Sequence, residues 1–157
     1  MKHKTADTLE AVVHAVEPRL REIPTNRASA PLKPGGWSAK EVLGHLIDSA
    51  SNNHQRFVRM QQTEHIQLAG YEQEHWVRFQ GYSEADWLGL IALWAAYNRH
   101  LAHIIRRIPP ETLHHDCELA PGKVLRLDYL VDDYLGHLEH HLRQIGVYDG
   151  QTFPYPL

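Results

Sequence analysis

A chain of 157 residues with 43% hydrophobic positions is near the commonest domain size and carries enough apolar material for one core. Its net charge of −3 comes with no dense Lys/Arg run, no nucleic-acid-binding signature and no Gly-rich phosphate loop, which argues against nucleic acid or anionic lipid as partners. The single cysteine, Cys117, excludes an intrachain disulfide framework and fits a reducing compartment. No window approaches the roughly 18–20 apolar residues that span a bilayer, and the residues after Met1 lack a signal-peptide core. These features predict a soluble cytoplasmic protein of one domain over 1–157, with a helical core at about 5–146 and an extended tail at 147–157.

The first helix is expected from about Thr5 to Glu22, where Leu9, Val12, Val13, Val16 and Leu20 recur at spacings of three and four. Pro18 predicts a kink or a restart within it. A Pro- and Gly-containing loop ends at Pro34-Gly35-Gly36. Ser38 and Glu41 then form a capping box, with Trp37 and Val42 at the positions of a hydrophobic staple. Val42, Leu43, Leu46, Ile47, Ala50, Phe57 and Val58 carry that second helix to about residue 63. Glu64 to Tyr82 has no clear periodicity, and a connection of that length is expected to be functional or to hold short elements of its own. The third helix is expected from Ser83, with Asp86 as its acidic partner, and is stopped by Pro109-Pro110. Lys123–Leu127 reads either as a short extended lead-in or as the first turn of the next helix. The fourth helix is expected from about Leu127 to Ile145, with Gly146 at its C-terminal cap. The tail Phe153–Leu157 cannot be helical and is expected on the surface or against a partner. Four long helices without a strong strand signal predict an all-α four-helix bundle.

Histidine is over-represented, at 13 of 157 residues, and helical phase sorts these side chains. His137 and His141 stand at i and i+4 and so share one face. Leu127, Val131, Tyr134, Leu138, Leu142 and Ile145 define the inward stripe of the same helix. His141 falls within that stripe, His137 on its edge, and His140 points toward water. His45 lies at the rim of the second helix's apolar face, level with Val42, Ser49 and Arg56. If His45 meets the other two, three imidazoles can bind a metal and leave coordination positions open, the pattern of a catalytic rather than a structural site. Such a donor set favours a divalent transition metal: zinc or nickel first, with iron, cobalt and copper compatible. A lone inward histidine more often fills space with a backbone or carboxylate partner. His54, His65 and His75 are candidates for lining a cleft, while His3, His14, His100, His103, His114 and His115 read as ordinary surface residues.

Pro34-Gly35-Gly36-Trp37-Ser38, followed by Glu41-Val42-Leu43 and His45-Leu46-Ile47-Asp48-Ser49, resembles the opening signature of the DinB-like and YfiT-like family of metal-binding proteins. His137-x-x-x-His141 looks like the closing motif of that family, and Tyr71–Trp76 resembles an aromatic segment of its YfiT-like branch. The similarity runs from roughly residue 9 to 146. It implies a four-helix bundle with a metal held at His45, His137 and His141, and often a homodimer. It also implies thiol-dependent S-transferase or isomerase chemistry with a low-molecular-weight thiol such as bacillithiol or mycothiol, or hydrolysis.

Three functions are therefore open. In a metal-dependent transferase, the metal would lower the pKa of a small thiol for attack on an electrophilic small-molecule substrate. Arg56 would pair with a carboxylate of thiol or substrate, and Asp48 would orient His45; both also read as helix-surface residues. In a hydrolase the same position would ionise water, with Asp48, Glu74 or Asp133 as base. In a non-catalytic stress-response module the metal would be structural or absent.

Overall fold

The computed structural model describes residues 2–150. Four long helices carry the fold: α1 (Lys2–Arg21), α3 (Ala39–Arg59), α5 (Trp87–Arg107) and α6 (Leu127–Ile145). Two short ones are added, α2 (Thr25–Ser29) and α4 (Gln73–Phe79). The expected all-α bundle is present. Each long helix packs against two others, α1 on α5 and α6, and α3 on α5 and α6. The ring therefore runs α1–α5–α3–α6, which sets the two long helices nearest in sequence, α1 and α3, on a diagonal. Leu9, Val13, Val16, Leu20, Leu43, Phe57, Trp87, Ile91, Trp94, Leu101, Leu138 and Leu142 meet in the shared core.

Local chemistry explains most boundaries. At α3 the Ser38 hydroxyl accepts from the Glu41 amide at 3.3 Å, and a Glu41 carboxylate oxygen accepts from the Ser38 amide at 3.1 Å, closing the capping box. The helix stops at Arg59, four residues before the expected end. Pro18 causes no restart, since α1 runs unbroken through it. It is exposed on the outer side, as is His14, whose carbonyl loses the Pro18 N–H as a partner and is left to water. α5 begins at Trp87 rather than at Ser83, because Asp86 is itself the cap and its carboxylate accepts from the Gly89 amide at 2.7 Å. Ser83 instead lies in a 3₁₀ turn at Tyr82–Glu84. α6 closes on Gly146, whose φ of +87° is the left-handed conformation that favours glycine and whose N–H donates to the Leu142 and Arg143 carbonyls.

A small sheet departs from the purely helical expectation. β1 (His65–Gln67) pairs in parallel with β2 (Asp116–Ala120), which forms an antiparallel hairpin with β3 (Lys123–Arg126). Lys123–Arg126 is thus extended, the first of its two expected alternatives. The strands escape pattern reading because each has at most five residues and little of the hairpin is buried beyond Cys117. The Glu64–Tyr82 connection does hold elements of its own, β1 and α4. Val147 is buried beyond α6, and Tyr148 donates to Glu139 at 3.0 Å. The expected extended tail from 151 onward, including Phe153–Leu157, lies outside the described residues.

Candidate metal centre

α3 and α6 are neighbours in the ring, and that adjacency brings the three histidines together. His45 Nε2 lies 3.1 Å from His137 Nε2. Ring centroids are 5.0 Å apart for His45–His137, 4.8 Å for His45–His141 and 4.6 Å for His137–His141. One nitrogen from each lies within 4.8 Å of the others, the only such group of three or more His, Cys, Asp or Glu side chains found among the described residues. Two nitrogens bound to one ion at about 2.0–2.1 Å stand roughly 2.9–3.4 Å apart between octahedral and tetrahedral angles. The 3.1 Å separation falls inside that window. His45 is not at the rim: it is 1% exposed, with the half-buried Trp37 ring 5.3 Å from its own.

The remaining nitrogens define which edges face the centre. His141 Nδ1 meets Gln144 Oε1 at 2.7 Å, and His137 Nδ1 meets the Ser49 hydroxyl at 3.5 Å, so both rings present Nε2 inward. His45 Nδ1 is buried without a hydrogen-bond partner. Burial, reinforced by the neighbouring His141 ring, pulls the His45 pKa down to about 4 and that of His137 to about 3. His141 is lowered for the same first reason. All three rings are therefore neutral near pH 7, with lone pairs free to bind a cation. Three neutral imidazoles, an orphaned Nδ1 and the N···N spacing all fit a transition metal.

Asp48 is 2% exposed on α3. Its Oδ1 accepts from the Tyr82 hydroxyl at 2.7 Å and from the Gln80 amide at 2.8 Å, whereas its Oδ2 is buried and unpartnered. Burial raises its pKa, and the two hydrogen bonds oppose that rise. Beside His137 opens a cleft of about 480 Å³ whose lining includes Ser49, Asn53, Arg56, Tyr71 and Asp133. Glu74 is exposed on α4 and is not part of that lining. Of the other histidines, His54 Nδ1 meets the Tyr97 hydroxyl at 2.9 Å and lines a separate surface hollow, His65 pairs with Asp116, and His75 is exposed beside Phe79. Periodicity pointed to neither Tyr82 nor Gln80. They come from the irregular connection, and no spacing links them to α3. Ser49, one turn beyond His45, was within reach of helical phase.

Comparison with known proteins identifies the family and the fold. A sequence profile of the DinB superfamily matches residues 8–145. The chain belongs to the DinB superfamily. Among DinB relatives, YfiT of Bacillus subtilis, designated a candidate metal-dependent hydrolase, is 23% identical over 145 residues, covering 92% of this chain and 82% of its own. A Halalkalibacterium halodurans protein of the same designation is 20% identical over 142 residues, covering 90% of this chain and 81% of its own. The YfiT structure, described as a four-helix bundle of unusual topology, matches with a TM-score of 0.74 at 20% identity over 94% of this chain and 89% of that one. A mycothiol-dependent maleylpyruvate isomerase matches with a TM-score of 0.71 at 11% identity, over 94% of this chain and 62% of its own. Both share the fold. Among the described residues no helix is long and apolar enough to cross a membrane.

Proposed function

We propose that His45, His137 and His141 hold a divalent transition metal, zinc or nickel foremost, in a metal-dependent transferase that uses a low-molecular-weight thiol on a small-molecule substrate. The observation that carries this reading is the 3.1 Å approach of His45 Nε2 to His137 Nε2, with His141 completing the triangle. A bound metal supplies Lewis acidity, lowering the pKa of a coordinated thiol or water toward neutrality. The chain supplies orientation. Gln144 and Ser49 fix the His141 and His137 rings through their outer nitrogens. Asp48, one turn beyond His45, is the residue we assign to orient it: His45 Nδ1 and Asp48 Oδ2 are each buried without a partner in this structure, a donor and an acceptor that a small shift would have to bring together. Tyr82 and Gln80 hold that carboxylate from the other side.

Hydrolysis is the second reading, favoured by the designation of the Bacillus subtilis and Halalkalibacterium halodurans relatives. The cleft favours thiol transfer over it, because its lining has one carboxylate, Asp133, and that residue is exposed. A cytoplasmic homodimer belongs to the same proposal; the 75%-exposed Phe79 offers apolar surface for pairing. Metal analysis of freshly purified protein and thiol titration of the cobalt-substituted form test the proposal. One equivalent of metal and a thiol-dependent change in the cobalt spectrum are expected. A metal-bearing protein whose spectrum ignores thiols but which hydrolyses esters or amides would replace transfer with hydrolysis.

A further inference from the structure

We propose that Arg56 forms an anion-binding subsite beside the three histidines, so that the small molecule acted on carries a carboxylate a few bonds from the end that reaches the metal. This inference rests on the metal reading above. Four side chains form a ladder from the histidines into the cleft. Ser49 Oγ meets His137 Nδ1, Asn53 Nδ2 donates to the Ser49 carbonyl at 2.9 Å, and Arg56 Nη1 donates to Asn53 Oδ1 at 3.4 Å. The guanidinium therefore stands level with Asn53, four residues from Ser49, or about 6 Å further along the helix axis.

Its surroundings leave it free to take a ligand. Arg56 is half-buried, and no ion pair among the described residues includes it. The long bond to Asn53 leaves most of its five donors unused, in the fork geometry that suits a carboxylate. The cleft lining holds two cations, Arg56 and Lys123, against one carboxylate, Asp133, a surplus of one positive charge in a chain of net charge −3. Tyr71 bounds the same cleft and interacts with both Ser49 and the Arg56 charge, so the passage from Arg56 to His137 is walled by side chains that bind polar groups. The cleft volume of about 480 Å³ accommodates a small ligand that reaches from His137 to Arg56, both of which line it.

Matched acid and amide probes read this subsite directly. Zinc-loaded protein is titrated with 3-mercaptopropionate and with 3-mercaptopropanamide. Metal-free protein is titrated with succinate and succinamide, following amide shifts by NMR. The acid should bind about ten- to hundredfold more tightly than its amide, as expected for hydrogen bonds to a charged group, and Arg56→Gln should erase that preference while retaining zinc. Arg56→Lys should restore it in part, since charge returns without the fork. Equal binding of acid and amide, a preference that survives Arg56→Gln, or no binding by any probe overturns the subsite. Zinc stoichiometry is measured alongside: a wild-type protein that fails to bind zinc but keeps an Arg56-dependent preference for succinate sinks the metal reading and leaves the subsite standing.

Discussion

Gly44→Ala tests whether the irregular connection is locked onto α3. Within a helix this change ordinarily stabilises by about 1 kcal/mol. Here the added Cβ would lie 2.2 Å from Tyr82 Cδ2, 2.3 Å from Cγ and 2.7 Å from Cδ1, inside the ring rather than against a flexible tip. Tyr82 is 7% exposed and its hydroxyl is tied to Asp48 at 2.7 Å, so the ring cannot swing aside without breaking that bond. Overpacking costs about 1–3 kcal/mol, and the lost buried hydrogen bond about 1 kcal/mol more. Set against the helix gain, the variant should be about 1–3 kcal/mol less stable, a fall in melting temperature of about 2–4 °C per kcal/mol for a domain of this size. Urea and thermal unfolding followed by circular dichroism measure it. In a Tyr82→Ala background the obstacle is gone, so Gly44→Ala should become neutral or favourable by up to about 1 kcal/mol, giving a coupling of about 1–4 kcal/mol. Additive effects, or a Gly44→Ala protein more stable than wild type, would refute the packing argument.

His141→Ala removes one proposed ligand and should abolish stoichiometric metal binding. Metal at a hundredfold excess over its dissociation constant should stabilise wild type by about 2.7 kcal/mol and this variant hardly at all; equal thermal shifts would refute the role. Asp48→Asn should weaken metal affinity about 10- to 100-fold in chelator competition without loss of fold, and unchanged affinity would remove Asp48 from the centre. In metal-free protein, the His45 and His137 pKa values of about 4 and 3 lie below the unfolded value of about 6.5. The unfolded chain takes up those protons first, so the contribution is intact above about pH 6.5 and declines below it by roughly 1.4 kcal/mol per unit for each histidine, down to the folded-state values. Urea midpoints that stay level from pH 7 to 5, or a slope undiminished by His137→Asn, would count against this linkage.

The long helices were legible because their signals are local. Ser38 and Glu41 fix the start of α3, Gly146 and the 3.6-residue stripe fix α6, and Pro109-Pro110 bounds α5. Where local signals competed, the reading slipped: Ser83 and Asp86 both suit a cap, and the carboxylate nearer the apolar run prevailed. The sheet was not legible, since three-residue β1 acquires its partner from a strand some fifty residues away, with His65 opposite Asp116. Pairing at that distance leaves no period in either segment.

For the candidate centre, the decisive unknown was topological. His137 and His141 share a face in any helix, but His45 joins them only if α3 neighbours α6. In a ring ordered by sequence, α3 would neighbour α1 and α5 and lie diagonal to α6; here α1 and α3 stand on a diagonal, and α6 takes the place beside α3. Helical phase supplies direction and says nothing of which helix lies opposite, so the sequence supported a conditional meeting of three imidazoles. The support around them was hidden for a second reason. Tyr82, Gln80 and Tyr71 come from a connection whose residues answer to Gly44, Asp48 and Ser49 on α3, with Tyr82 and Gln80 also hydrogen-bonded to each other. Such contacts obey no spacing rule, which is why the three candidate ligands are readable from the chain while the residues that steady and bound the centre emerge only from the fold.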